Sequence, residues 1–86
     1  MKLSFSHEFW DEFHQLPPHV QKQAKRAFER FADDPRYPSL HYKCVNKQRA
    51  RYSIRIGYRF RALGRVQEDK ITWYWIGPHS EYDHLI

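Results

Sequence analysis

The chain has 86 residues, 15 Lys and Arg against 10 Asp and Glu, a formal net charge of +5 and an aromatic content of 17 %. That length leaves room for one domain spanning residues 1–86, too small for a large core, and big aromatic side chains offset the shortage. Cys44 is the only cysteine, so no internal disulfide can form, and neither an apolar leader at Met1 to Phe9 nor a bilayer-length apolar stretch is visible; a cytoplasmic protein without membrane contact is expected.

Leu3 and Phe5 alternate with polar neighbours, which predicts a short opening strand over Lys2 to Phe5. Ser6 is placed to cap a helix over His7 to Leu16, in which Phe9, Trp10, Phe13 and Leu16 recur at three- and four-residue spacing and Glu8 and Asp11 favour the opening turn. Pro17 and Pro18 end it, and Pro18 suits the first position of a second helix, where its missing N–H is not needed. Val20, Ala24, Ala27, Phe28 and Phe31 form the apolar stripe of that helix, which should end near Asp33, Asp34 and Pro35.

Arg36 to Ala50 reads mostly as loop, with His41 to Val45 a possible brief strand. Alternation then becomes strong: Tyr52, Ile54 and Ile56 point one way, Arg51, Ser53 and Arg55 the other. Tyr58, Phe60 and Ala62 continue on one face with Arg59 and Arg61 opposite, so Gly57 and its neighbours should form a tight hairpin or bulge. After a polar connection through Gln67 to Lys70, the β-branched and aromatic run Ile71 to Ile76 reads as a central strand, with Trp73 and Trp75 on one face and Tyr74 on the other. Gly77 and Pro78 end it, and His79 to Ile86 is too short for more than a helical turn or an extended tail. The order implies an α+β domain: an N-terminal strand, an antiparallel helix pair, then a mainly antiparallel sheet of about four strands with the helices on one face.

Charge is concentrated in the second half. From Pro35 to Gln67 there is no Asp or Glu, yet Arg36, Lys43, Lys47, Arg49, Arg51, Arg55, Arg59, Arg61 and Arg65 all fall there. A charge run is commonly a solvated face, but this one lacks interspersed acids and sits on strands. A planar guanidinium can hold a phosphate through two parallel hydrogen bonds, so phosphate or an acidic partner is the expected ligand.

The segment YSIRIGYRFRALGRVQEDKITWYWIGPHSEYDHLI, Tyr52 to Ile86, resembles the C-terminal half of RelE/ParE superfamily toxins, where a Y-x-[IV]-[RK]-[IV] strand precedes G-x-R, another strand and an I-G-x-[RKH] turn. The helical pair with its proline break agrees in length and order. The resemblance implies the RelE/ParE-like fold, a concave basic surface opposite the helices, and a cognate antitoxin that covers it. It implies one of two activities, cutting of mRNA on the ribosome or poisoning of DNA gyrase; a relic keeping only antitoxin binding is a third reading. DNA binding is expected only of the toxin–antitoxin complex.

Cutting RNA without a metal requires activation of the ribose 2′-hydroxyl, stabilisation of charge on the phosphate and protonation of the leaving oxygen. Arg59 ranks first for the phosphate, then Arg55, both matching family positions usually held by Lys or Arg; Arg51, Arg61 and Lys43 are candidates for neighbouring RNA contacts. For proton transfer His79 is preferred, since imidazole titrates near neutrality and relatives carry a catalytic Arg or His at this rim. Tyr82 resembles a C-terminal aromatic that stacks on a base or assists proton transfer, but its spacing from Gly77 is shorter than in the best-known pattern, which leaves stacking or simple packing of the tail as its readings; Tyr74 is a second stacking candidate. Ser53 and Arg55 stand where many relatives have two lysines, so one general base is missing; His41 or Lys43 are the replacements considered. Neither metal nor cofactor is expected, because the histidines and the lone cysteine lack paired ligand spacing.

Overall fold

The computed structural model describes residues 1–86 throughout. Its first strand, β1 (Lys2–Phe5), runs into Ser6, whose Oγ accepts from the Phe9 N–H at 3.1 Å and starts α1 (His7–Phe13). This helix stops a turn before Leu16, because a proline disfavours helical backbone in the residue before it and two prolines follow. Pro18 then opens α2 (Pro18–Asp33), in the position its missing N–H allows. Val20, Ala24, Ala27, Phe28 and Phe31 of α2 are all buried, so the predicted stripe is the packed one.

A 3-10 turn, Pro38–Leu40, leads to β2 (Lys43–Asn46), followed by β3 (Arg51–Ile56), β4 (Phe60–Gln67), β5 (Lys70–Pro78) and α3 (His79–Leu85). The sheet has five strands in the order β1-β5-β4-β3-β2, the N-terminal strand and the four that follow the helix pair; β1 pairs parallel with β5 and every other pair is antiparallel. The helices α1 and α2 pack on one face, where Phe9, Phe28, Phe31, Ile54, Ile56, Ile71, Trp73 and Ile76 share a single cluster. No helix is long and apolar enough to cross a membrane.

Three local features depart from the alternation reading. Gly57, at φ +59°, turns the chain as predicted, but Gly57–Arg59 all belong to the turn, so Tyr58 and Arg59 lie at the hairpin tip and not on a strand face. Between Leu63 and Gly64 the pairing with β5 slips by one residue: Leu63 faces Trp75, Gly64 faces Trp73, and Tyr74 is the extra residue. This bulge reverses the alternation, so Trp73 is wholly buried under the helices while Trp75 lies beside Leu63 on the opposite face. The two tryptophans therefore do not share a face. Finally, His79 to Leu85 forms a two-turn helix, longer than the single turn or tail expected. It has an apolar strip to lie on, Leu63 and its neighbours on the sheet face opposite α1 and α2.

Candidate active site

On the face away from α1 and α2 the strands set arginine against arginine. Arg51 is directly opposite Arg65, and Arg55 directly opposite Arg61. Like charges in that position repel, and an acid partner is the usual relief. None is present: the two salt bridges of the molecule are His7–Asp11 and His79–Asp83, so no lysine or arginine is ion-paired.

Tyrosines hold the guanidiniums instead. Arg51 lies over the Tyr74 ring at 4.7 Å, Arg55 over Tyr58 at 5.3 Å and Arg61 over Tyr82 at 5.9 Å. A ring face orients a guanidinium without consuming all its N–H groups, leaving donors for an anion. Arg55 Nε donates to the Gly57 carbonyl at 2.9 Å, and Arg61 Nη1 to the Phe60 carbonyl at 2.9 Å. Burial first, and then the nearby Arg55, hold the Arg61 guanidinium below its ordinary pKa, against the opposing pull of Tyr82 and Asp83. Lys43, opposite Ser53 on β2, adds an exposed ammonium at the edge of this face.

The α3 helix fixes the remaining groups. Tyr82 is 2 % exposed, and its hydroxyl is 3.0 Å from that of Ser53, itself 1 % exposed. The ring of Tyr82 is thus a packing element, with no open face for a base: of the two readings, stacking and packing of the tail, the structure has the second. Its burial serves His79 instead: the imidazole stacks on Tyr82 with centroids 5.7 Å apart, and His79 Nε2 lies 3.5 Å from Asp83 Oδ1. The His79 backbone N–H donates to the Arg59 carbonyl at 2.7 Å, tying the start of α3 to the β3–β4 hairpin.

That tie defines a cleft of about 530 Å³ at one end of the sheet. Arg59, His79, Tyr58 and Phe60 line it together with Pro17 and His19 from the start of α2. Of the residues singled out from sequence, the structure brings Arg59 and His79 into this cleft; Arg55 is linked to it through Tyr58. Arg51 and Tyr74 line a separate shallow hollow with Leu63 and the end of α3, and Tyr74 does lie on the face away from the core helices. His41 ends the 3-10 turn with φ +46°, and neither it nor Lys43 lines the cleft. Tyr58 and His19 were missed. Tyr58, 79 % exposed, read as a strand residue because alternation runs through the turn; His19 carries no local signal, since only the tertiary fold joins the start of α2 to the start of α3. A third cleft, about 340 Å³, gathers Arg26 and Arg30 of α2 with Arg55 and Ser39. No three His, Cys, Asp or Glu side chains are grouped to hold a metal ion.

A helix pair on one face of a five-stranded sheet, with an arginine-lined opposite face crossed by a short C-terminal helix, defines a RelE/ParE-type toxin fold. The family model of the ParE-like toxin domain matches residues 18–84, and the chain belongs to that family, within the RelE/ParE superfamily of toxin–antitoxin toxins. Among solved structures it is similar to RelE in the RelB–RelE antitoxin–toxin complex of Methanococcus jannaschii, at 22 % identity over 96 % of this chain and 99 % of that one, TM-score 0.76. It is similar also to a YoeB/ParE toxin of Agrobacterium tumefaciens (15 % identity, 92 % and 99 % covered, TM-score 0.72) and to YafQ of Escherichia coli (6 % identity, 94 % and 96 % covered, TM-score 0.74). A comparison with curated protein sequences finds no match.

Proposed function

We propose that this toxin is a metal-independent endoribonuclease acting on mRNA in the ribosome, neutralised by a cognate antitoxin. The observation that carries the reading is the pairing of Arg59 with His79 in one cleft, joined through the 2.7 Å backbone bond. Arg59 holds the scissile phosphate and His79 transfers a proton to or from it, oriented by the Tyr82 ring and Asp83. Tyr58, exposed at the hairpin tip, takes the base-stacking role that the buried Tyr82 does not. Arg51, Arg55, Arg61 and Lys43 supply backbone contacts along the sheet face, and Tyr74 seats Arg51. The unpaired cations also suit an acidic antitoxin, as the Methanococcus relative is solved with its RelB antitoxin.

The test is expression without antitoxin, with mRNA 5′ ends mapped across the transcriptome in wild type, Arg59→Ala and His79→Ala. New ends inside translated codons, lost in both variants, are expected. The ParE-like description of the matching family favours a second reading, a gyrase poison without nuclease activity. Growth arrest with no new ends, retained in His79→Ala, would overturn the first reading and point to gyrase or another target.

A further inference from the structure

Transesterification at the 2′-hydroxyl needs two proton movements, and Arg59 with His79 accounts for one of them. We propose that His19 is the general base of the reaction, with His79, which lines the same cleft, as the general acid; this role rests on the ribonuclease reading above. The titratable side chains lining the cleft are His19, Tyr58, Arg59 and His79. A guanidinium accepts no proton, and a phenol is a poor base near neutrality, so His19 is the one remaining group there suited to accept the 2′-hydroxyl proton. Lys43 and His41, the replacements that sequence alone puts forward for the missing base, are elsewhere.

The backbone around His19 is fixed well enough for such a task. Pro18 precedes it with a locked φ, the Val20 N–H donates to the Pro17 carbonyl at 2.9 Å, and the Val20 side chain is 1 % exposed in the core. The imidazole itself stays exposed and is in no salt bridge, whereas His79 has Asp83 as a carboxylate partner. The acid role stays with His79, beside the hairpin that carries Arg59, and the base role falls to His19 on the α2 side of the same cleft. A cleft of about 530 Å³ falls within the roughly 300–1,000 Å³ typical of small-molecule sites, room for a nucleotide, and Tyr58, His19 and His79 all line it.

In the step itself, the 2′-oxygen loses its proton to His19 and attacks phosphorus. The new O2′–P bond forms as the P–O5′ bond breaks, and O5′ takes its proton from His79. The products are a 2′,3′-cyclic phosphate and a 5′-hydroxyl, with no oxidant, metal or added water consumed.

Ribosomes programmed with a synthetic mRNA provide the test, the linkage cut by wild type being either an ordinary phosphodiester or a 5′-S-phosphorothiolate. A thiolate leaves without protonation, so loss of a general acid is repaired on the sulfur substrate and loss of a general base is not. His79→Ala should lose about 100-fold or more on oxygen and recover most of it on sulfur, within the range of about 10²–10⁴ for one proton-transfer group. His19→Ala should lose a comparable factor on both substrates and regain activity with added imidazole. Cleavage by His19→Ala at the wild-type rate, or its repair by sulfur, overturns the assignment while the ribonuclease reading stands. A wild-type protein that cuts neither substrate removes both. Since the His19 ring is exposed, the melting temperature of His19→Ala should match wild type.

Discussion

The contact between Ser53 and Tyr82 is the point where stability and the candidate site meet, and its strength can be worked from the structure. The two oxygens are 3.0 Å apart, the residues are 1 % and 2 % exposed, and each hydroxyl has the other as its partner. Tyr82→Phe strands the Ser53 hydroxyl and Ser53→Ala strands that of Tyr82, and a buried polar group left alone costs about 1–3 kcal/mol. For a domain of this size, 1 kcal/mol lowers the melting temperature by roughly 4–8 °C, so each single variant should melt about 4–24 °C below wild type. The double variant removes both hydroxyls and strands neither, and should melt near the less damaged single variant. Circular dichroism melts of the four proteins give the coupling directly. Additive losses, with coupling below about 0.3 kcal/mol, would mean that α3 is not held by this bond, and the orientation of His79 would then need another source.

Three further outcomes follow from individual contacts. A Cβ added at Gly64 would lie 2.8 Å from Ile71 and from the Trp73 ring, both fully buried, so Gly64→Ala should destabilise by about 1–3 kcal/mol in urea unfolding. Glu12 Oε1 accepts from the Ile76 N–H at 3.3 Å, and burial first, opposed by that bond and reinforced by Glu81, Asp11 and Glu8, raises its pKa. A raised carboxyl pKa means the folded state disfavours the charge, so stability is retained below the ordinary value of 4.5 and reduced as pH rises through the folded pKa. Glu12→Gln, which keeps the acceptor, should therefore be more stable than wild type at pH 7 and lose that advantage below pH 4.5, as denaturation at the two pH values will show. Burial, then Tyr52 and Cys44, push the Tyr42 phenol up to about 12, so its contribution is present below the ordinary value of 10.0 and lost as pH climbs toward 12. Tyr42→Phe should flatten that alkaline loss relative to wild type in pH-dependent melts.

What the sequence made legible was whatever is set locally. The Ser6 cap, the start of α2 at Pro18, its apolar stripe and the turn at Gly57 each follow from contacts within a few residues. The bulge at Tyr74 was not legible, because it is a relation between two strands: nothing in Ile71 to Ile76 tells which residue will be skipped by β4. That one slip moves Trp75 from the core to the opposite face. The helical C-terminus was also hidden, since seven residues form a helix in water only when a surface stabilises them, here the one bearing Leu63 and Ser53. For the candidate site, Arg59 and His79 were visible through the family pattern, whereas His19 enters only because the fold closes α2 against the β3–β4 hairpin.

The arginine face is arranged against the protein's own stability. Two cross-strand arginine pairs with no acid on the neighbouring strands raise the energy of the free sheet, and Arg61 is further penalised by partial burial beneath α3, a cost that Asp83 of that helix offsets only in part. Local repulsion of this kind is removed at little cost by one Asp or Glu on a neighbouring strand, yet the sequence has none from Pro35 to Gln67. Cation–π seating on Tyr58, Tyr74 and Tyr82 is the alternative that keeps each guanidinium in place while leaving N–H donors uncommitted. An acidic neighbour would neutralise the face in the free protein and compete with any anionic ligand; a tyrosine does neither. On the ribonuclease reading proposed above, the stability forgone is the counterpart of binding, as stability is commonly given up at functional sites, and an RNA phosphate that completes those donors would recover part of it on association.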